Sequence, residues 1–389
     1  MKDKLTLLCG SLELNRKGFG AFDPNCMAFL CDFSAFLLAQ KETRAFPNLR
    51  SFAFWLRRAN LDEFKKEFAK PGLCGRGLAF HIAPSNVPLM FAYSLCMGLL
   101  CGNSNVVRVS ENFRPEEALL TNLLSAFLDS PRGKAFGDRI AIVSYPHSEE
   151  LNKEFSALAD CRVVWGGDST VEIFRAIPLS DRAGEMYFPD KTSICILNAE
   201  KAATLGEAEF ANLVHRFFND TYAMDQNACS SPRLTLWLGK GGESVSKKFW
   251  QALATETRKN YEIDAYKSAR KLEDICALSL EGAVQSFTKY EGNTLCVLRA
   301  SALPKAGTLR GSFGVFTEAF ADTLGGLGTV CGEKLQTITY FGLESSEIQN
   351  AISDAEAKKR IQILPVGGAM NISMRWDGKN FTDYLSIEK

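Results

Sequence analysis

From residue 78 onward the chain alternates between two apolar periods. Short, mostly apolar blocks at Leu78–Ile82, Asn105–Val109, Arg139–Ser144 and Arg162–Trp165 are separated by longer stretches whose apolar positions recur every three to four residues. The blocks fit strands buried on both faces, and the longer stretches fit helices packed on one face. Helices are expected from Pro88 to Cys101, Pro115 to Leu128, Ser148 to Ala159, and from Gly166-Gly167-Asp168 to about Ala176. Glu116 and Glu117 fall in the first turn after Pro115, where carboxylates complement the positive end of a helix. Strands alternating with helices in this way build a parallel sheet covered on both faces, an α/β architecture that binds nucleotides.

A second α/β region starts near Thr192. Strands are expected at Ser193–Leu197, Leu234–Leu238, Leu295–Leu298, Leu335–Phe341 and Ile361–Leu364, with an amphipathic helix from Ala208 to about Ala223 and two charged helical segments across 243–280. The first 70 residues differ. CMAFLCDFSAFLLA and PNLRSFAFWLRRANLDEFKKEF have helical spacing and read as helices packed on the body.

Charge and composition narrow the function classes. Lys plus Arg equals Asp plus Glu at 45 each, which gives no electrostatic case for nucleic acid or an anionic membrane surface. The longest apolar run, Val87 to Cys101, is 15 residues and too short for a membrane span. The start MKDKLTLLCG has too few consecutive apolar residues for a signal peptide. Twelve cysteines occur without a Cys-x-x-Cys, and none of the three histidines lies near a cysteine pair, so no zinc site is expected. Many unpatterned cysteines suit a reducing, cytoplasmic compartment.

One cysteine stands apart. Cys229 lies in Tyr222-Ala-Met-Asp-Gln-Asn-Ala-Cys-Ser-Ser-Pro-Arg-Leu234, among polar turn residues rather than in an apolar block. A thiol in such a place is accessible and can react, whereas most free cysteines are small buried hydrophobes. Two loops after strands are the other candidates. Gly166-Gly167-Asp168 follows a strand and opens a helix, either as a phosphate cradle or as a tight turn capped by Asp168 or Ser169. Pro84-Ser85-Asn86-Val87-Pro88 ends the first parallel strand, and Asn86 either caps the next helix or donates to a developing oxyanion. Gly72, Gly75 and Gly77 precede a strand, the wrong side for a dinucleotide fingerprint. His81 falls inside a strand and reads as a core residue; His215, on the helix before Cys229, reads as structural.

In order, APSNVP, GNSNVVRVSE, GGDSTVEIFRAI, the cysteine loop and a late PVGGAM resemble the aldehyde dehydrogenase superfamily. HIAPSNVPLMFAYSLCMGLLCGNSNVVRV, VVWGGDST, FFNDTYAMDQNACSSPRL, LQTITYFGL and RIQILPVGGAMNISMRWDG are more closely similar to the acyl-CoA reductases of the bacterial luminescence fatty-acid reductase complex. The likeness runs from about residue 72 to the end.

The resemblance implies a Rossmann-type dinucleotide domain with N-terminal helices over 1–190, a catalytic cysteine domain over 191–364, and a segment 365–389 that returns to the first domain. It implies Cys229 as nucleophile and Asn86, with the Cys229 backbone N–H, as oxyanion donors. Ser85, Arg108, Ser110, Gly166, Gly167 and Asp168 would lie at the dinucleotide: NADPH as first choice, NADH as second, with Glu111 arguing for NADH. The substrate would be an acyl-CoA or acyl-protein thioester, reduced to an aldehyde through an acyl-Cys229, with a helix terminus or the bound dinucleotide favouring the thiolate. An acyl-protein synthetase partner and a homo-oligomer are implied too. The slot that holds a general-base Glu in hydrolytic relatives is Tyr187 here, within Tyr187-Phe-Pro-Asp-Lys191, with Asp190 the nearby carboxylate. Rival classes are a cysteine acyltransferase or thioesterase without hydride transfer, and a non-catalytic organising subunit.

Overall fold

The computed structural model describes residues 5–281 and 284–388. The chain forms two compact units, Met1–Pro189 with Ser373–Lys389 (unit 1), and Asp190–Ile372 (unit 2). The strands of unit 1 are β1 (Thr6–Gly10), β2 (Leu73–Gly75), β3 (Leu78–Ile82), β4 (Ser104–Val109), β5 (Ile140–Ser144), β6 (Cys161–Trp165) and β7 (Gly184–Phe188). Unit 2 holds β8 (Thr192–Asn198), β9 (Pro232–Leu238), β10 (Val284–Lys289), β11 (Cys296–Ala300), β12 (Val315–Ala321), β13 (Leu335–Phe341) and β14 (Gln362–Pro365). The chain then re-enters unit 1 in β15 (Arg375–Trp376), β16 (Lys379–Asn380) and β17 (Ser386–Glu388).

The sheet of unit 1 runs β1-β5-β4-β3-β6-β7, parallel except for β1. The strand order reverses at β3, whose neighbours are β4 and β6, and ligands bind such sheets outside the carboxyl ends of the strands at this switch point. All five residues of β3 and all eleven of the helix Met90–Leu100 are buried, so the 15-residue apolar run is a core helix and not a span. Among the described residues no helix is long and apolar enough to cross a membrane.

Unit 2 repeats the plan. Its sheet runs β10-β11-β12-β9-β8-β13-β14, parallel except for β10, with the reversal at β8. The helix Glu207–Tyr222 turns Phe210, Leu213, Val214 and Phe217 to one face, and Phe217 meets Phe249 of the helix Gly242–Asn260 at 5.2 Å between ring centroids. Burying each such side chain stabilises the unit by about 1.5–3 kcal/mol.

Several elements escaped the pattern reading. β1 breaks the all-helical expectation for the first 70 residues; it is an edge strand, largely exposed and defined by its pairing to β5. In β7 and β12 a glutamate interrupts the apolar block: the half-buried Glu185 pairs with the buried Arg162, and the buried Glu318 accepts from Trp250 Nε1 at 2.8 Å. β10 is exposed along most of its length and has no core pattern to read. The helix expected from Pro88 begins at Met90, because Leu89 is left-handed (φ 59°) and stops helical geometry before it. The return to unit 1 begins at Ser373 and not at residue 365. Gly367 N–H and Ala369 N–H donate to the Asp220 carboxylate at 2.6 and 2.9 Å and hold that segment to unit 2.

Candidate active site

A cavity of about 350 Å³ opens outside the carboxyl ends of β3, β4, β5 and β6. Ser85 and Asn86 after β3, Arg108 and Ser110 at the end of β4, and Gly166 and Gly167 after β6 all line it. Three separate loops of sequence-predicted residues therefore meet at one place. Asp168 does not line it; it is the first residue of the helix Asp168–Arg175, and a carboxylate facing the cavity would repel an anion.

The capping alternatives fail on geometry. The N-cap of Asp168–Arg175 is Gly167, not Asp168 or Ser169, and a glycine has no side chain with which to cap that end. The N-cap of Met90–Leu100 is Leu89, again without a side-chain cap, so Asn86 does not cap it. Asn86 is exposed, and its backbone carbonyl accepts from Arg114 Nη2 at 3.2 Å. A helix N-terminus without a side-chain cap and a guanidinium on one cavity suit an anion. Arg108 is steadied by Tyr145, donating to its carbonyl at 3.2 Å and lying 5.4 Å from its ring centroid.

The remaining lining adds His147, Ser148 and Asn152 on the polar side and Ile82, Trp165, Ile173 and Phe174 on the apolar side, with no Asp or Glu. Such a lining fits a ligand with phosphates and a flat apolar ring. His147 and Asn152 were missed by sequence reasoning, since nothing in Tyr145-Pro-His-Ser-Glu marks a βα turn as functional. Tyr145 was missed too; its hydroxyl donates to Asn152 Oδ1 at 3.0 Å, and burial pushes its phenol well up.

A buried relay supports the cavity wall. Trp165 Nε1 donates to Ser94 Oγ at 2.9 Å, Ser94 donates to His81 Nδ1 at 2.8 Å, and His81 Nε2 donates to Asn105 Oδ1 at 2.9 Å. The tautomer follows from Asn105, whose amide nitrogen is spent on the Asn103 carbonyl. His81 is thus the satisfied core residue expected, and burial lowers its pKa to about 4. Gly98 is required beside it, since a Cβ there would lie 1.9 Å from Asn105 Oδ1. His215 is also structural, bonded at 2.6 Å to Glu256.

Nine of the twelve cysteines of the chain are buried; Cys229 and Cys31 are half-buried and Cys276 is exposed. Burial raises the thiol pKa of Cys9 and Cys101 to about 12 and of Cys331 to about 11, which leaves them inert. Cys229 sits just before β9, at the amino edge of the sheet. Its loop is rigid. Asp225 and Gln226 are both left-handed (φ 54° and 59°), a costly conformation held by side-chain bonds. Asp225 accepts from Tyr261 Oη at 2.6 Å and Lys267 Nζ at 2.8 Å. Gln226 is buried; its amide donates to the carbonyls of Pro232 and Val315 and accepts from Gly314 N–H, closing the loop across its base. The helix leading to Cys229 ends there, so its near terminus carries the sign that does not favour a thiolate. The expected help from a helix terminus is not provided by this helix.

Tyr187 lies on β7 with its hydroxyl 3.4 Å from Arg162 Nη2, and burial with the neighbouring Glu185 pushes its pKa up to about 12. It cannot act as a general base near neutral pH.

A family model for acyl-CoA reductase (LuxC) matches residues 53–273, more than half of the chain. The chain belongs to the LuxC acyl-CoA reductase family. Its similar relatives include the long-chain acyl-protein thioester reductase 2 of Photobacterium leiognathi, 26% identical over 221 residues, which cover 56% of this chain and 42% of that protein. The long-chain acyl-protein thioester reductase of Vibrio harveyi is 23% identical over 305 residues, covering 76% and 60%. The chain thus spans less than two thirds of the length of these LuxC-type relatives. Aldehyde dehydrogenase 21 from Physcomitrella patens, solved with the product succinate, superposes with a TM-score of 0.64 at 12% identity, covering 95% of this chain and 85% of that one. Lactaldehyde dehydrogenase from Escherichia coli gives 0.58 at 13% identity, covering 94% and 85%. This member of the LuxC family has the aldehyde dehydrogenase fold, the α/β class expected.

Proposed function

We propose that the chain is a thioester reductase that converts an acyl-CoA or acyl-protein thioester to an aldehyde through an acyl-Cys229. The observation that carries this is Cys229 itself: a half-buried thiol on a loop held rigid by buried side chains, in a member of the LuxC family. The Cys229 thiolate adds to the thioester carbonyl, the substrate thiol leaves, and the acyl group remains on sulfur. Asn86 and the Cys229 backbone N–H stabilise the tetrahedral oxyanion, a pairing that rests on the family likeness.

We place a nicotinamide dinucleotide in the unit 1 cavity, where Ser85, Ser110, Gly166, Gly167 and the end of the helix Asp168–Arg175 take the phosphates. Arg108 would take a ribose 2′-phosphate, since a guanidinium matches phosphate and no carboxylate lines the cavity to favour a bare ribose. NADPH is therefore preferred, and Glu111, which does not line the cavity, loses its argument for NADH. The dinucleotide when bound supplies the hydride that reduces the acyl carbon to the aldehyde level. With Tyr187 engaged by Arg162 and unable to activate water, the acyl group is retained for reduction rather than hydrolysed.

The test is aldehyde formation from acyl thioesters of graded chain length with each cofactor, together with intact mass after acyl-CoA alone. An acyl adduct on Cys229 and cofactor-dependent aldehyde are expected. Adduct lost to water as fast as it is reduced would favour a thioesterase, and full function after Cys229→Ala an organising subunit.

A further inference from the structure

Cys229 belongs to a turn of its own inside the loop. Ser231 N–H donates to the Ala228 carbonyl at 3.0 Å, so Ala228–Ser231 is a four-residue turn with Cys229 at its second position. The central peptide of that turn carries the Cys229 carbonyl. Flipping the central peptide interconverts turn types, and it would swing Cys229 ψ and drive Ser230 into the left-handed region that Ser230 does not occupy. That carbonyl is one bond from the Cys229 Cα, so whatever pins it also pins the backbone that carries the thiol.

Ser193 pins it. Its Oγ donates to the Cys229 carbonyl at 2.6 Å. The same oxygen accepts from Thr337 N–H at 3.1 Å, so the hydroxyl proton is turned to the cysteine and not to the sheet. The sheet is irregular here for a reason. The β8–β9 ladder shifts between Ser193 and Ile194, and the β8–β13 ladder shifts between Leu335 and Thr337. Irregularities of this kind re-aim a side chain next to an active site. Here they coincide with Thr337 N–H bonding a side chain. Ser193 is fully buried, so water does not compete for either bond.

We propose that Ser193 is a positioning residue for the nucleophile: it pins the carbonyl of the central peptide of the Ala228–Ser231 turn and so holds the Cys229 backbone, and with it the thiol, in place. It touches neither substrate nor cofactor in this role. The proposal rests on the reading of Cys229 as the acyl acceptor, and the experiment separates the two. The unaltered protein, Ser193→Ala and Ser193→Thr are acylated by a long-chain acyl-CoA without reductant, with rates read by intact mass over a concentration series. All three are also treated with iodoacetamide, with alkylation at Cys229 measured against the exposed Cys276 by peptide mapping.

Ser193→Ala should slow maximal acylation by about tenfold or more, since a misaimed reacting group is costly, while half-saturation stays within about twofold. The Cys229 to Cys276 alkylation ratio should change by about threefold or more, and Ser193→Thr, which keeps the hydroxyl, should stay within about threefold of the unaltered rate. Unchanged acylation and an unchanged ratio in Ser193→Ala would overturn the proposal. So would equal losses in the Ala and Thr variants, or a loss explained by the folded fraction in melting curves. If Ser193→Ala does not fold, Ser193→Cys replaces it, nearly the same size and a weak donor, with the same outcomes required. No adduct on Cys229 in the unaltered protein would instead overturn the reductase reading, and the alkylation ratio would still decide the role of Ser193.

Discussion

The two units are built on one plan and use opposite edges of it. In unit 1 the polar groups gather at the carboxyl ends of β3, β4 and β6, where helix N-termini and loop N–H groups converge. In unit 2 the thiol lies at the amino edge, before β9, beside Ser193 at the start of β8 and Thr337 near the start of β13. The difference follows from charge. A carboxyl edge offers positive helix ends and suits a phosphorylated cofactor. An amino edge receives negative helix ends and gives an anion no such help, so the cysteine is placed there by rigid hydrogen bonding. One edge is suited to binding by field, and the other holds its thiol by geometry.

That division of labour can be broken most sharply at Cys229. Cys229→Ala should abolish aldehyde formation while leaving NADPH binding within about twofold, as truncation of a half-buried turn residue leaves little cavity. Loss of dinucleotide binding, read by cofactor fluorescence titration, would show that the division is false. Next comes Asn86, the unit 1 residue assigned to acyl chemistry. Asn86→Ala should lower the acylation rate by about a hundredfold to a thousandfold, roughly 3–4 kcal/mol, with melting temperature unchanged because it caps no helix. A normal rate would confine acyl chemistry to unit 2.

The support beneath the cavity should show in pH dependence. His81 has a folded pKa near 4 against about 6.5 unfolded, so between these values the unfolded chain binds the extra proton. Stability from this group is complete above pH 6.5 and is lost as pH falls toward 4, by about 3 kcal/mol for the full shift. Denaturant unfolding of unit 1 probes at pH 7 and pH 4.5 should show this slope, and His81→Gln should flatten it. An unchanged slope would mean that other groups carry it. The smallest effect is expected at Arg108. Arg108→Ala should weaken NADPH by roughly 2 kcal/mol, about thirtyfold, and NADH by much less, with acylation of Cys229 intact. Equal weakening of both cofactors would show that Arg108 does not read the 2′-phosphate.

Much of this was legible in the chain. Four strands of the first sheet and their loops carried local signals, apolar blocks with Pro and Gly at βα turns, and Cys229 stood out by its polar company. What could not be read depends on partners far off in sequence. Ser193 looks like any strand residue; its role comes from a register irregularity that only pairing to β9 and β13 creates. Glu185 and Glu318 disguised β7 and β12 because a carboxylate inside a strand is unreadable without its Arg162 or Trp250 partner. Asn86 and Asp168 illustrate the reverse case, in which a local capping rule offered a competing explanation, and the helices instead begin after Leu89 and Gly167.

The passage of the chain out of unit 1 at Pro189 and back at Ser373 has a consequence for biosynthesis. Unit 2 is contiguous and can complete its sheet as soon as residue 372 has cleared the ribosome. Unit 1 cannot. β17 pairs with β2, and Phe381 stacks 6.1 Å from Trp165 and 5.6 Å from Phe188, so the wall of the cavity waits for residues made after unit 2. Domains generally fold as units in the order in which they are made. Here the order is inverted: the later-coded thiol-bearing half can close first, while the earlier-coded half must wait for the returning segment to cover the aromatic face of Trp165 and Phe188.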